Sequence, residues 1–168
     1  EAGFGSDLGA EKFMNIVCRL GDMTPNAVVL VSTVRALKYH GMGMWPADLD
    51  AVKEAGVDEL EAGFANLDKH VENLQKFGVP VVVALNRFPD DTDEEIEAVV
   101  EHCREDLGVE IAESNVFAEG SEGGVDLAEH VVDAVEAGDE DDFDHLYPDD
   151  APIKEKIETV ATEVYGAD

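Results

Sequence analysis

Positive charge is scarce in this sequence: 11 Lys and Arg stand against 40 Asp and Glu, a formal charge of -29. That balance excludes the basic footprint on which nucleic acid binding depends, for duplexes and single strands alike. Cysteine is scarcer still. The two present, Cys18 and Cys103, are far apart and fall on the apolar stripes of two expected helices, so they read as buried free thiols rather than a disulfide or a metal pair. A secretory signal pattern is missing, as is any apolar run long enough to span a bilayer, so no membrane partner is expected and the expected compartment is the cytoplasm. The chain also lacks a Gly-x-x-x-x-Gly-Lys-Ser/Thr loop.

What is present is the composition of a folded domain. A length of 168 residues with 45% hydrophobic content suits one domain with a real core. Plentiful, periodic Val, Ile, Leu and Phe separate it from unfolded acidic tails. An acidic, lysine-poor, folded chain fits work in concentrated salt, because the screening length falls from about 10 Å at 0.1 M to about 3 Å at 1 M and most self-repulsion is removed. A halophilic source is therefore expected. Glu1-Ala-Gly-Phe-Gly reads as the middle of a loop and Tyr165-Gly-Ala-Asp168 trails off, so the chain is expected to be an excised piece of something longer.

Three apolar runs have the length and β-branched content of strands: 27–33, Val81 to Leu85, and a segment within Val109 to Phe117. Helical patterns separate them. Ser6 or Asp7 is expected to cap a helix with the stripe Phe13, Ile16, Val17, Leu20. Leu67, Val71, Leu74 and Phe77 form a second stripe that ends at Gly78. Thr92 and Glu95 form a capping box ahead of Ile96, Val99, Val100, Cys103 and Leu107. Val125, Ala128, Val131, Val132 and Val135 are expected to be buried on the helix after the third strand, and Ile153, Ile157, Val160, Ala161 and Val164 mark a last helix that closes the chain. Gly3, Gly5 and Gly9 imitate a dinucleotide fingerprint with the wrong last gap and with Asp7 where a pyrophosphate would sit. The acidic run 90–95 reads as a solvated helix start rather than a divalent-ion site. Asp139 to Asp150 lacks the central glycine and closing glutamate of a calcium loop and reads as a solvated linker, at about 138–150. No metal site is expected.

Strand alternating with helix implies an α/β fold: a single three-layer domain over 1–168, with a parallel sheet and helices on both faces. In such a sheet every strand leaves at one rim, where ligands bind. Arg35, Lys38 and His40 follow the first strand, on a chain expected to leave the sheet through a basic stretch into a turn-rich section, 41–50, that holds the only tryptophan, Trp45. Arg87 and Phe88 follow the second, and Phe117 the third. Cations and rings on one rim suit a flat aromatic ligand with negative charge, so Arg35, Lys38, His40 and Arg87 are candidate anion-binding residues. Phosphate, a ligand's carboxylate tail or neighbouring protein carboxylates are all open as their partners.

Long motifs carry a resemblance across nearly the whole chain: Glu1-Ala-Gly-Phe-Gly-Ser-Asp-Leu-Gly-Ala-Glu-Lys-Phe13, Val31-Ser-Thr-Val-Arg-Ala-Leu-Lys-Tyr-His-Gly41, Phe64-Ala-Asn-Leu-Asp-Lys-His-Val-Glu-Asn73, Asn86-Arg-Phe-Pro-Asp-Asp-Thr92 and Glu119-Gly-Ser-Glu-Gly-Gly124. In these stretches the sequence resembles formate tetrahydrofolate ligase. The resemblance implies a fold related to P-loop NTPases and, for the parent enzyme, conversion of formate, tetrahydrofolate and ATP, with magnesium, to 10-formyltetrahydrofolate through formyl phosphate. It implies a homotetramer for the full-length family member. Phe88 and Phe117 match the aromatics that hold folate, with Phe4 beside the same cleft; the catalytic residues and the phosphate cradle belong to an upstream domain, so this piece alone is expected to be inactive. The sequence departs from the family's pattern at Phe117, where tryptophan is usual, at Ser32 and Met42, and in the Met44 to Leu49 section, which reads as an insertion.

Two other readings stand beside this one. A GTPase-like switch domain would read guanine with Asn-Lys-x-Asp, but Arg87 replaces the lysine and Pro89 stands where the aspartate belongs. A structural domain would use the same rim for subunit contacts and bind no folate. The charge itself yields a direct expectation: the melting temperature rises between dilute buffer and molar salt, measured by thermal denaturation at increasing sodium chloride, and a flat response contradicts the halophilic reading.

Overall fold

The computed structural model describes residues 2–46 and 48–168, with Glu140 by its backbone alone. Three parallel strands, β1 (Val28–Ser32), β2 (Val81–Asn86) and β3 (Glu110–Ser114), form one sheet in the order β1-β2-β3. Ser32 pairs with Leu85, and Asn86 with Ser114, so all three strands end at one rim. The β2 run Val81 to Leu85 is buried throughout. That is the environment a continuous apolar strand requires in a parallel sheet.

The helices are α1 (Ser6–Lys12), which continues through a wider-wound stretch, Phe13–Cys18, into α2 (Arg19–Gly21); α3 (Val34–Met42); α4 (Leu49–Glu54); α5 (Val57–Ala62); and α6 (Phe64–Gln75). After β2 come α7 (Asp93–Glu101), and after β3 the short α8 (Val116–Glu119), then α9 (Val125–Ala137) and α10 (Ile153–Thr159). One sheet face, carrying Val83, Leu85 and Ile111, packs against Leu67 and Val71 of α6, Val34 and Leu37 of α3, and Ile96 and Val99 of α7. Ala10 of α1 joins the same face through Val28, Leu30 and Val81. The opposite face, with Val82, Ala84 and Ala112, is covered over β2 and β3 by α9. The expected three-layer α/β architecture with helices on both faces is the one observed.

Local chemistry explains most boundaries. The Thr92 hydroxyl accepts from the Glu95 amide at 3.3 Å while Glu95 Oε2 accepts from the Thr92 amide at 2.9 Å, the reciprocal cap expected. Asp93, Glu94 and Glu95 occupy the first turn of α7, where the helix dipole favours negative charge. The α6 stripe is also as expected, with Leu67, Val71, Leu74 and Phe77 buried.

Four local expectations are corrected. Arg35, Lys38 and His40 do not leave the sheet on a basic stretch: Thr33 Oγ1 accepts from the Ala36 amide at 3.0 Å and starts α3, whose Val34 and Leu37 dock on the core. Neither Ser6 nor Asp7 caps the first helix; Gly5 holds the cap position and supplies no side chain. The buried stripe there is Ala10, Met14 and Cys18, while Ile16 and Leu20 are exposed. On α9, Val125, Ala128, Val132 and Val135 face outward. Helix α9 is apolar on more than one side, and periodicity alone does not say which side meets the sheet.

The two cysteines are free and buried, as expected. Burial pushes the Cys103 thiol up to about 12. Asp139, Asp141, Asp142, Asp144, Asp149 and Asp150 are exposed, yet the stretch is anchored: the Asp144 amide donates to the Phe77 carbonyl at 3.0 Å, the Leu146 amide to the buried Asn15 side chain at 3.0 Å, and Arg19 to the Tyr147 carbonyl at 2.6 Å. Phe143 and Leu146 pack beside Met14, Cys18, Phe77 and Val79. No described helix is long and apolar enough to cross a membrane.

Close helix contact around α3 depends on two glycines. A Cβ at Gly41 would lie 1.8 Å from the Glu59 carbonyl oxygen, and one at Gly63 would lie 2.0 Å from that of Leu37. Both neighbours are backbone, so neither can swing aside. Gly41→Ala and Gly63→Ala are each expected to lower stability by about 1–3 kcal/mol or more, as overpacking does. Gly56→Ala, where the nearest atom is a Glu59 carboxylate oxygen at 3.7 Å, is expected to cost under about 1 kcal/mol. Urea midpoints in molar salt provide the comparison.

Candidate functional site at the strand rim

The loop after β2 is the most heavily braced part of the rim. Its first residue extends the sheet, the Arg87 amide donating to the Ser114 carbonyl at 3.1 Å. The Arg87 guanidinium then bridges two acids, donating to Glu113 of β3 at 2.9 Å and to Asp93 of α7. Asp91 Oδ2 accepts from the Phe88 amide at 2.8 Å, and the Asp91 amide donates back to the Phe88 carbonyl at 3.0 Å. Burial pushes the Asp91 carboxyl above the ordinary carboxylate range, with the Phe88 amide opposing the shift. Thus the backbone at Phe88 is closed into a turn from both sides.

Side chains from α3 complete the bracing. The Arg35 guanidinium lies 5.0 Å from the centre of the Phe88 ring, within cation–π range. It is 4.0 Å from Asp90, which Lys53 also approaches at 3.9 Å. Lys38 is buried against Glu95, itself buried and also engaged in the Thr92 cap. Burial raises the Glu95 carboxyl, but Lys38 and Thr92 outweigh it and hold the group below its ordinary value. A charge buried this deeply requires its partner.

Of the four candidate anion-binding cations, Lys38 and Arg87 therefore face protein carboxylates at close range. Arg35 sits at the rim over Phe88 with only long contacts to acid. His40 is exposed near the far end of α3, edge-on to Tyr39. It acts on His70 of α6, whose value it lowers.

The three candidate aromatics occupy different settings. Phe88 is half-buried under Arg35. Phe117, on α8 just beyond β3, is 90% exposed. Its loop folds back on itself: the Asn115 amide donates to the Gly123 carbonyl at 2.9 Å, and Gly120 takes φ 63°. Since Asn86 and Ser114 are paired neighbours, Phe88 and Phe117 leave adjacent strands at the same rim. Phe4 is 96% exposed and lines, together with Val28 to Ser32 of β1, a groove of about 590 Å³. Its backbone is left-handed at φ 63°, a strained conformation for a residue with a Cβ.

One polar pair in that groove was not singled out by the sequence. Ser6 Oγ and His70 Nδ1 are 2.6 Å apart, beside Thr33 and Asn66. Burial holds His70 below its ordinary value, with Asp7 opposing and His40 reinforcing the shift. Ser6 stands where a cap was expected and His70 lies 64 positions along the chain, so no local spacing announced the contact.

The Lys38 and Glu95 pair predicts a pH-dependent stability. Because Glu95 is held below its unfolded value of about 4.3, its contribution is fully present above that pH and is lost as pH falls through the folded value. Lys38→Met is expected to cost about 3–5 kcal/mol by leaving the carboxylate unpartnered, and adding Glu95→Gln to recover part of that loss. Urea unfolding of the variants at neutral pH and at pH 4 measures both effects.

Comparison with known proteins assigns the whole chain to one family. The family model described as formate--tetrahydrofolate ligase matches residues 1–168. A formate--tetrahydrofolate ligase from Haloarcula marismortui is 74% identical over 168 residues, covering 100% of this chain and 30% of that relative. Another, from Haloquadratum walsbyi, is 75% identical over 167 residues, covering 99% of this chain and 29% of the relative. The chain thus spans under a third of the length of these curated relatives. With the match running from the glycine loop through all three strand exits, the chain belongs to the formate--tetrahydrofolate ligase family.

Proposed function

We propose that these residues form the folate-seating part of an ATP-dependent ligase that makes 10-formyltetrahydrofolate from formate and tetrahydrofolate. The observation that carries this reading is the pair of rings on one rim: Phe88 fixed by Arg35 and the Asp91 turn, and Phe117 standing free in solvent at the end of the adjacent strand. A pterin and its aminobenzoate are flat and aromatic, and each ring stacked on them contributes about 0.5–1.5 kcal/mol beyond plain burial. That energy orients the folate N10 toward formyl phosphate, converting an encounter into an aligned attack.

Phe4 is proposed to close the seat from the groove along β1. Its strained backbone is what a position kept for a ligand rather than for stability would have. Arg35 is the proposed anion contact of this rim, suited to a folate carboxylate or a phosphate, since Lys38 and Arg87 already hold protein carboxylates. His40 remains a secondary candidate through its influence on the groove at His70. The ATP phosphates with magnesium, and the residues that form formyl phosphate, are proposed to lie in the part of the family's polypeptide outside this chain, and a homotetramer is proposed for the family-length protein. The halophilic reading gains support from the names of the two relatives' sources.

Three measurements test this. Tetrahydrofolate added in molar salt is expected to change the fluorescence of Trp45, which is 88% exposed, and Phe88→Ala and Phe117→Ala are each expected to weaken binding by about 0.5–1.5 kcal/mol. Displacement of the signal by GTP instead would favour the guanine-reading alternative. Phe4→Gly is expected to stabilise the fold by about 1 kcal/mol, since glycine tolerates the left-handed backbone, while weakening folate binding. The 168 residues alone are expected neither to hydrolyse ATP nor to form 10-formyltetrahydrofolate, and turnover by them refutes this division of labour.

A further inference from the structure

Phe4 stands at a bend that its own side chain disfavours. Among the described residues only Phe4 and Asp22 take positive φ without being glycine, at 63° and 51°. An aspartate can bond to nearby backbone in that region, whereas a phenylalanine gains nothing there and brings its Cβ against a carbonyl oxygen. The Phe4 ring is 96% exposed, so packing does not offset the strain. Such a residue persists only where its surroundings leave the backbone no other course.

Both neighbours of Phe4 are fixed. Gly3 lies on the flank of α1, where a Cβ at Gly9 would stand 2.1 Å from the Gly3 carbonyl oxygen. The Gly5 carbonyl accepts from the Leu8 and Gly9 amides at 3.1 and 2.9 Å and opens the helix. Those contacts join the loop only to its own helix. Ser6 reaches further: its Oγ is 2.6 Å from Nδ1 of His70 on α6, and the same imidazole lies beside Gly5, with Cε1 3.7 Å from where a Gly5 Cβ would be. Another tie at this end of α1, from Tyr165 Oη to the Asp7 carbonyl, is long at 3.4 Å and exposed.

Helix α6 is a firm anchor for this contact. Leu67 and Leu74, one turn to either side of His70, are both buried in the core. Burial lowers the His70 value, with Asp7 opposing and His40 reinforcing, so at neutral pH the ring keeps a nitrogen able to accept from the Ser6 hydroxyl. Phe4, Ser6 and His70 all line the one groove.

We propose that the hydrogen bond between Ser6 and His70 is the latch that holds Phe4 in its left-handed conformation, which makes His70 a positioning residue of the folate seat. The inference rests on the reading of Phe4 as part of that seat. With the latch released, the loop relaxes to negative φ at Phe4. The ligand must then restore the placement of the ring, and binding weakens.

The latch is tested first without folate, in the 168-residue chain in molar salt. Phe4→Gly is expected to raise the urea midpoint when Ser6 is present, and by less than about half as much in a Ser6→Ala background, where the strain is no longer enforced. A gain of the same size in both backgrounds overturns the latch. No gain in either background overturns it too, since no strain is then being held. In the family-length polypeptide, Phe4→Ala, Ser6→Ala and His70→Leu are each expected to weaken tetrahydrofolate binding about two- to tenfold, the contribution of one stacked ring. Ser6→Ala added to Phe4→Ala is expected to weaken binding no further. His70→Asn, which keeps a polar atom near the place of Nδ1, is expected to recover most of the loss. A double variant in which the two separate factors multiply overturns the proposal. So does a fall in kcat of about 100-fold or more in His70→Asn with Ser6→Ala near wild type, because it makes His70 a proton-transfer group. Folate binding unchanged in Phe4→Ala removes His70 from the seat through failure of the underlying reading, and the urea comparison tells that apart from failure of the latch.

Discussion

Parallel pairing on both sides of β2 is the constraint from which the rest of the molecule follows. Each strand can pair in this way only if its return path crosses the sheet, which places α3 to α6 and then α7 on one face. It also brings every strand exit to the same rim. The register makes Leu85 the neighbour of Ser32, and Ser114 the neighbour of Asn86, so Thr33, Arg87 and Asn115 begin three loops side by side. Residues far apart in sequence thereby come to share one edge, and three of the five motifs that carry the family resemblance, those beginning at Val31, Asn86 and Glu119, lie at or just beyond the strand exits.

Charge is distributed over that rim unevenly. Most of the 40 carboxylates face water, where salt screens them, yet those at the rim meet the scarce cations directly. Arg87 joins β3 to α7 through Glu113 and Asp93, while Lys38 locks α3 to α7 through Glu95. These contacts hold the loop after β2 in one conformation and leave Phe88 with a defined ring plane under Arg35. The loop after β3 is built differently. It closes on its own backbone through Asn115 and Gly123 and presents Phe117 to solvent without bracing from other elements among the described contacts.

Where the chemistry is local, the sequence can be read directly. The Thr92 and Glu95 cap involves residues three apart, and the strand runs and the α6 stripe declare themselves by period. For Lys38 the sequence left a ligand anion and a protein carboxylate both open as partners. Only the approach of α7 makes it a buried partner of Glu95, 57 residues later, and no spacing rule reaches so far. The same limit applies to Ser6, whose hydroxyl meets His70 across the groove instead of capping its own helix.

By itself, then, the sequence determined the alternation of strand and helix, the parallel sheet, the rim placement of Phe88 and Phe117, and the family. The first three depend on period, caps and chain order and the family on its long motifs, all of them properties of neighbouring residues. Tertiary structure alone decided which cations are neutralised, which face of α9 meets the sheet, and that β1 ends the sheet with Val29 and Val31 uncovered. Those outcomes depend on what lies across a gap in space, and an apolar stripe or a charge carries no record of which distant surface will cover it.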